Sequence, residues 1–133
     1  MRIAHITTDE VNQALAVQVA RPLGVIVTPL GPEAISTPVS FDAVLYDLDR
    51  VPPDRRQTLV DQIRSDTTAL PMAVYGYCLS EEQAGRLRFR GVAVAQRLHA
   101  ALIRTLAKAV RQNLAAVPPD DAMTELTWIN VNA

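Results

Sequence analysis

The stretch FDAVLYDLD at residues 41–49 decides the fold, because an apolar run there ends abruptly in carboxylates. A short apolar run of this kind predicts a strand of a parallel sheet that is buried on both faces. In an open α/β sheet, ligands bind in the crevice outside the carboxyl ends of the strands. We therefore expect Asp47 to lie where a functional site would form.

Length and composition favour a single globular domain. The chain has 133 residues, of which 49% are hydrophobic and 20% charged, and this size and composition suit one buried core. We expect a domain over residues 1–116 and a C-terminal tail over residues 117–133. No apolar stretch approaches the roughly 20 residues of a membrane span, and the N-terminus does not have the order of a signal peptide. These features predict a cytoplasmic protein without a membrane partner.

Cys78 is the single cysteine of the chain. It can form no internal disulfide and no thiolate metal cluster. We expect it to be a small buried group at the end of a strand, as free cysteines commonly are.

The N-terminal half shows strands alternating with a helix. Residues 3–6 read as a first strand, and Asp9 can cap a helix whose apolar positions Val11, Leu15 and Val19 recur at four-residue steps. Residues 25–27 read as a second strand. The three prolines and the glycine of residues 29–40 leave room for a turn of helix at most, around residues 33–35.

The same alternation continues after the third strand. Pro52-Pro53-Asp54 opens a helix, and residues 71–77 read as a fourth strand. Ser80 and Gln83 have the spacing of a capping box, for a helix interrupted at Gly85 and closed at Gly91. Residues 92–95 read as a fifth strand and 99–114 as a last helix. Together these elements predict a doubly wound, five-stranded parallel sheet of the flavodoxin-like class, a three-layer sandwich.

From Arg2 to Leu114 the chain resembles the receiver domains of bacterial two-component response regulators. The resemblance rests on the order of the elements and on DAVLYD at residues 42–47. In that family, the aspartate that ends the third strand takes a phosphoryl group from a histidine kinase. The resemblance places Asp47 at the phosphoacceptor position.

Four other positions depart from the family pattern. The acidic pair that holds Mg²⁺ in the family matches Thr7 and Thr8, while the following Asp9 is better suited to capping the first helix. The hydroxyl residue of the switch matches Gly76. The family's lysine most nearly matches Arg97, which could form a permanent ion pair with Asp47 but does not replace an ammonium group in geometry.

This pattern resembles a degenerate receiver, a pseudo-receiver that is not an enzyme, holds no metal or other cofactor, and acts through protein contact without phosphorylation. The alternative is an active receiver that binds Mg²⁺ weakly through Asp9, Asp47 and Asp49 and is phosphorylated on Asp47. A nucleotide-binding enzyme is disfavoured, because no glycine-rich loop follows the first strand. His5 reads as a satisfied core histidine, and His99 as a solvent-facing residue that opens the last helix.

Basic residues are concentrated in the second half of the chain. Residues 55–111 contain ten arginines and lysines against four acidic residues, although the net charge of the whole chain is -1. The candidate interaction face consists of Arg86, Arg88, Arg90, Arg104, Lys108 and Arg111. In receivers this region contacts partners, which favours a protein with an acidic surface or a second copy of the chain. Nucleic-acid binding through the same residues remains the other hypothesis, and the pI of about 6.1 disfavours it.

Overall fold

The computed structural model of the chain describes residues 1–31, 41–49, 51–65 and 70–112. Five strands and four helices alternate through these residues. The strands are β1 (Arg2–Ile6), β2 (Ile26–Leu30), β3 (Ala43–Asp47), β4 (Met72–Tyr75) and β5 (Ala93–Ala95), and the helices are α1 (Glu10–Ala20), α2 (Pro53–Arg64), α3 (Glu81–Phe89) and α4 (Ala100–Arg111). A 3₁₀ turn, Arg21–Leu23, follows α1. No helix in the described part of the chain is both long and apolar enough to cross a membrane.

The strands form one sheet in the order β2-β1-β3-β4-β5, and every neighbouring pair is parallel. The predicted flavodoxin-like, doubly wound sheet is therefore confirmed. In this order the chain reverses its direction of winding between β1 and β3. The crevice outside the carboxyl ends of those two strands is the topological switch point, where such folds place their ligands.

Alternate residues of the central strands supply two separate hydrophobic cores. On β3, Ala43 and Leu45 pack with residues of α1 and α4, whereas Val44 and Tyr46 pack with residues of α2 and α3. This arrangement follows from the two-residue period of a strand. The sheet is consequently covered by two helices on each face, as the three-layer prediction requires.

Helix α1 begins where the sequence predicts but buries a different side. The Asp9 side chain caps it and accepts hydrogen bonds from backbone N–H groups of the first turn. Its buried residues are Ala16 and Ala20, while Val11 and Leu15 are 72% and 37% exposed. The predicted inward face was thus wrong for those two residues. Small alanines let the helix backbone approach the sheet closely, and this packing decides the face.

Strand β2 is longer than predicted and extends over Pro29 and Leu30. The strand lies at the edge of the sheet and pairs only with β1, so a proline without an N–H group is tolerated there. The short helix expected around residues 33–35 lies outside the described residues, as does the tail over residues 117–133.

The remaining boundaries differ from prediction in small ways. Helix α3 continues through Gly85 without the predicted interruption, and the predicted Ser80–Gln83 capping box is present. Strand β4 ends at Tyr75, two residues earlier than predicted, and the chain turns at residues 77–78. The last helix ends at Arg111.

Two glycines should respond in opposite directions to replacement by alanine. Gly24 has a left-handed φ of 68°, which strains any residue with a Cβ, so Gly24→Ala should lower the free energy of unfolding by about 1–2 kcal/mol. Gly85 lies inside α3 with no atom within 4 Å of an added Cβ, so Gly85→Ala should raise it by about 0.5–1 kcal/mol. Urea denaturation of both variants measures the two changes, and a shift of the same sign in both would contradict the assigned backbone conformations.

Candidate functional site

Asp47 is the last residue of β3 and lies at the switch point of the sheet. Its side chain points to the same face as Leu45, toward α1, and is only 7% exposed. Removing a carboxylate from water is costly unless other groups hydrogen-bond it. The surroundings of Asp47 must therefore supply donors.

Three neighbouring residues supply them at short distances. The Thr7 hydroxyl donates to Asp47 Oδ2 over 2.7 Å, and the Asn12 side-chain amide donates to the same oxygen over 2.9 Å. The backbone N–H of Asp49 donates to Oδ1 over 2.8 Å. These donors come from the end of β1, the first turns of α1 and the loop after β3. Asp47 thus joins three segments at the carboxyl edge of the sheet.

A buried tyrosine and a buried histidine lie next to this network in the core. Tyr75 ends β4 and is the partner of Asp47 in the register of the sheet, so the charge of the Asp47 carboxylate acts on its hydroxyl group. His5 Nε2 lies 2.7 Å from the Tyr75 hydroxyl oxygen. Both His5 and Tyr75 are fully buried.

The hydrogen bond between His5 and Tyr75 joins two groups that can each donate or accept, and the direction depends on the tautomer of the imidazole ring. The other ring nitrogen, His5 Nδ1, is buried and has no hydrogen-bond partner among the described residues.

Burial keeps both groups uncharged, whereas the Asp47 charge supports the uncharged form of Tyr75 alone. Burial is the larger cause that raises the pKa of the Tyr75 hydroxyl, and the adjacent Asp47 carboxylate raises it further. Burial lowers the pKa of His5 to about 4, with the Asp47 charge opposing part of that shift. At neutral pH the network consists of one carboxylate and uncharged donors.

The two other acidic residues of the predicted metal set are occupied with backbone groups. Asp9 Oδ1 accepts from the N–H groups of Val11 and Asn12, as expected of a helix cap. Asp49 accepts from the Tyr77 N–H over 2.9 Å and from Asn12 over 3.2 Å. No group of three metal-ligating side chains occurs within residues 1–31, 41–49, 51–65 and 70–112.

Thr7 and Thr8 occupy the two positions that match the family's acidic pair. Thr7 is a hydrogen-bond donor and Thr8 is a surface residue. Thr7 is buried, donates to Asp47 and accepts from the Asp9 N–H over 3.0 Å. Thr8 is exposed. The residue at the first position of the pair therefore hydrogen-bonds the carboxylate directly, where a second carboxylate would repel it.

A side chain at the switch position, Gly76, would press against Leu48. A Cβ on Gly76 would lie 3.1 Å from the Cβ of Leu48, which is closer than ordinary van der Waals contact. The Gly76 N–H is already used by the carbonyl of Ala95. A glycine here lets the loop after β3 pass close to the end of β4.

The suggested ion pair between Asp47 and Arg97 is not among the interactions of the described residues. Arg97 Nε instead donates to His99 Nε2 over 3.3 Å. His99 is the N-cap residue of α4 and is half-buried, whereas it was expected to face solvent. Burial, and secondly the charge of Arg97, lowers the pKa of His99.

The six basic residues of the candidate interaction face divide into two groups on opposite sides of the sheet. On α3, Arg86 forms an ion pair with Glu82, and Arg88 is half-buried; Arg90 follows the helix and is exposed. On α4, Arg104, Lys108 and Arg111 are all exposed and line one groove. The sequence order had suggested a continuous face.

The expectation of a buried Cys78 was wrong, because its side chain is exposed. Strand β4 ends at Tyr75, so Cys78 lies in the turn that follows the strand.

Asn12 and Tyr75 are the site residues that sequence reasoning missed. Neither residue belongs to a sequence motif. Strand pairing brings Tyr75 beside Asp47, and the packing of α1 on the sheet brings Asn12 there. A carboxylate at the end of a buried strand was the single available signal that polar partners must lie nearby.

The fold and site define a flavodoxin-like α/β domain with a hydrogen-bonded carboxylate at its switch point. Comparison with protein-family models, curated proteins and solved structures found no match. The receiver resemblance therefore rests on the residues themselves.

Replacing Tyr75 by phenylalanine should destabilise the protein. The change removes the buried hydroxyl that is hydrogen-bonded to His5 Nε2 and leaves that nitrogen without a partner, at a cost of about 1–3 kcal/mol. Tyr77 is 67% exposed, so Tyr77→Phe is a matched control that should change stability by less than about 0.5 kcal/mol. Equal denaturation midpoints for the two variants would show that the network contributes nothing.

The free energy of unfolding should fall as the pH is lowered from about 6.5 to about 4. The pKa of His5 is about 4 in the folded chain and 6.5 ordinarily, so the unfolded chain takes up the proton first and gains about 3 kcal/mol over this range. Carboxylates titrate in the same window, so the measured quantity is the difference in pH slope between the wild type and His5→Gln. Identical slopes would contradict a buried, neutral His5.

Proposed function

We propose that this chain is a receiver-like signalling module that contacts a protein partner without phosphorylation of Asp47. The proposal places it in a two-component-type pathway in the cytoplasm and assigns it no enzymatic activity. The proposal is supported by the hydrogen bonds of the buried Asp47 carboxylate and by the arginine-rich surfaces of α3 and α4.

The single observation that carries the proposal is that both oxygens of the buried Asp47 carboxylate accept hydrogen bonds. Oδ2 accepts from Thr7 and Asn12, and Oδ1 accepts from the Asp49 amide. These donors stabilise the negative charge of a side chain that is only 7% exposed, which makes the carboxylate a weaker and less accessible nucleophile toward phosphorus.

The charged groups around Asp47 also support a function without phosphorylation. Phosphoryl transfer to a carboxylate brings negative groups together, and metal ions normally neutralise them. Here Thr7 occupies a position where the family has an acidic metal ligand, and the oxygens of Asp49 already bind N–H groups. Arg97 donates to His99. The arrangement favours a carboxylate with a structural role.

The residue that transmits phosphorylation to the surface in receivers is also different in this chain. In receivers the hydroxyl residue of the fourth strand moves toward the phosphoryl group. Gly76 has no side chain to move, and the 3.1 Å approach to Leu48 leaves little room for one. A module of this kind would present one fixed surface to its partner, most suitably an acidic one or that of a second copy.

Acetyl phosphate with Mg²⁺ should leave the wild-type protein without a phosphoryl adduct, because the Asp47 carboxylate is buried and its charge is stabilised by hydrogen bonds. Intact-mass spectrometry checks this, with Asp49→Asn and Asp47→Asn measured alongside. An adduct that persists in Asp49→Asn and disappears in Asp47→Asn would show that the protein is an active receiver.

A further inference from the structure

A shallow basic groove lies between α4 and the 3₁₀ turn that follows α1. Its volume is about 400 Å³, and its lining consists of Leu23, Arg104, Thr105, Ala107, Lys108 and Arg111. The three cationic side chains are exposed along one side of α4, while Ala107 and the rest of the helix pack on the sheet.

The elements around this groove have positive charge and no carboxylate. Residues 13–31 and 100–112 contain four arginines and lysines and not one aspartate or glutamate. Within the described ranges, no ion pair engages Arg104, Lys108 or Arg111. On α3, by contrast, Glu81 and Glu82 stand in the first turn and Glu82 pairs with Arg86. The α4 groove is therefore the stronger site for a negative partner.

The spacing of the cations matches that of a helix. Arg104, Lys108 and Arg111 are separated by four and three residues, which places them about 6 Å and about 4.5 Å apart along the helix axis. Carboxylates on a second helix at the same four- and three-residue steps have the same spacing. In an extended peptide, side chains on the same side are about 6.8 Å apart. This spacing fits the interval between Arg104 and Lys108 but not the shorter interval between Lys108 and Arg111.

The groove lies away from the Asp47 crevice. Helix α1 starts beside Asp47, through Asn12, and runs for 11 residues, about 16 Å, before it reaches the 3₁₀ turn. Helix α4 also starts after the carboxyl end of its strand and runs in the same direction. Binding in the groove can thus proceed without rearranging the hydrogen bonds of Asp47.

We propose that this groove binds an acidic α-helix of another protein through Arg104, Lys108 and Arg111. This inference rests on the proposed function and names the surface and the chemistry of the partner. A helix with a row of glutamates would set its carboxylates against the three cations, and Leu23 would give an apolar contact at the edge. Such complementarity governs specificity and the rate of encounter more than raw affinity.

A single-stranded nucleic acid would also be attracted by three cations. Proteins that bind such strands combine a basic groove with aromatic side chains on which bases stack. Among the residues that the structure describes, those lining this groove include no aromatic side chain. The observations therefore favour carboxylates on a protein.

The test uses two synthetic helical peptides of equal length and an oligonucleotide of mixed sequence. One peptide has glutamates at positions i, i+4 and i+7 of an alanine-rich helix, and the other has glutamines there. Each is titrated into the isotopically labelled full chain and followed by amide chemical shifts. We expect the glutamate peptide to shift the amides of Leu23, Arg104, Lys108 and Arg111, the glutamine peptide to have little effect, and added salt to weaken binding.

Two variants with equal loss of charge provide the matched comparison. Arg104→Gln/Lys108→Gln/Arg111→Gln neutralises the groove, and Arg86→Gln/Arg88→Gln/Arg90→Gln neutralises α3. The groove variant should bind the glutamate peptide about tenfold more weakly, and the α3 variant should bind it like the wild type. If the triple groove variant does not fold, Lys108→Gln alone and the salt series of the wild type serve as the readout.

The outcomes separate this inference from the function on which it rests. Equal binding of both peptides, stronger binding of the oligonucleotide, or a loss confined to the α3 variant would overturn the groove assignment, even with Asp47 unmodified by acetyl phosphate. Peptide binding that requires phosphorylation of Asp47 would instead overturn the proposed function.

Discussion

The carboxylate of Asp47, buried at the end of a central strand, is the constraint on which the carboxyl edge of this protein depends. A charge in that position is costly in free energy unless several donors surround it. Thr7, Asn12 and the Asp49 amide meet that requirement, and each belongs to a different segment. The network therefore fixes the end of β1, the start of α1 and the loop after β3 relative to one another.

The same constraint accounts for the residues around Asp47. Thr7 donates a hydrogen bond where a second carboxylate would add repulsion. The absence of a side chain at Gly76 allows Leu48 to lie close to the end of β4. Beside the carboxylate, the Tyr75 hydroxyl is hydrogen-bonded to His5, whose pKa is lowered to about 4 by burial.

The exposed basic residues of α3 and α4 lie on two different surfaces of the domain. The cations of α4 lie on a helix that packs on the same face of the sheet as α1, and they line a groove that begins near the far end of α1. The α3 arginines lie across the sheet and are partly neutralised by Glu82. The charge that looks continuous in the sequence therefore belongs to two surfaces with different capacities to attract a partner.

The sequence by itself determined the layered fold, the capping of α1 by Asp9, the capping box of α3 and the placement of Asp47 at the carboxyl edge. These features depend on residues that are near each other in the chain, where periodicity and hydrogen-bonding chemistry act locally. Only the tertiary structure decided that Asn12 and Tyr75 meet Asp47, that Val11 and Leu15 of α1 face outward, that Cys78 is exposed and that the basic residues separate. Those outcomes depend on strand register and on how closely a helix approaches the sheet, which are set by packing between distant segments.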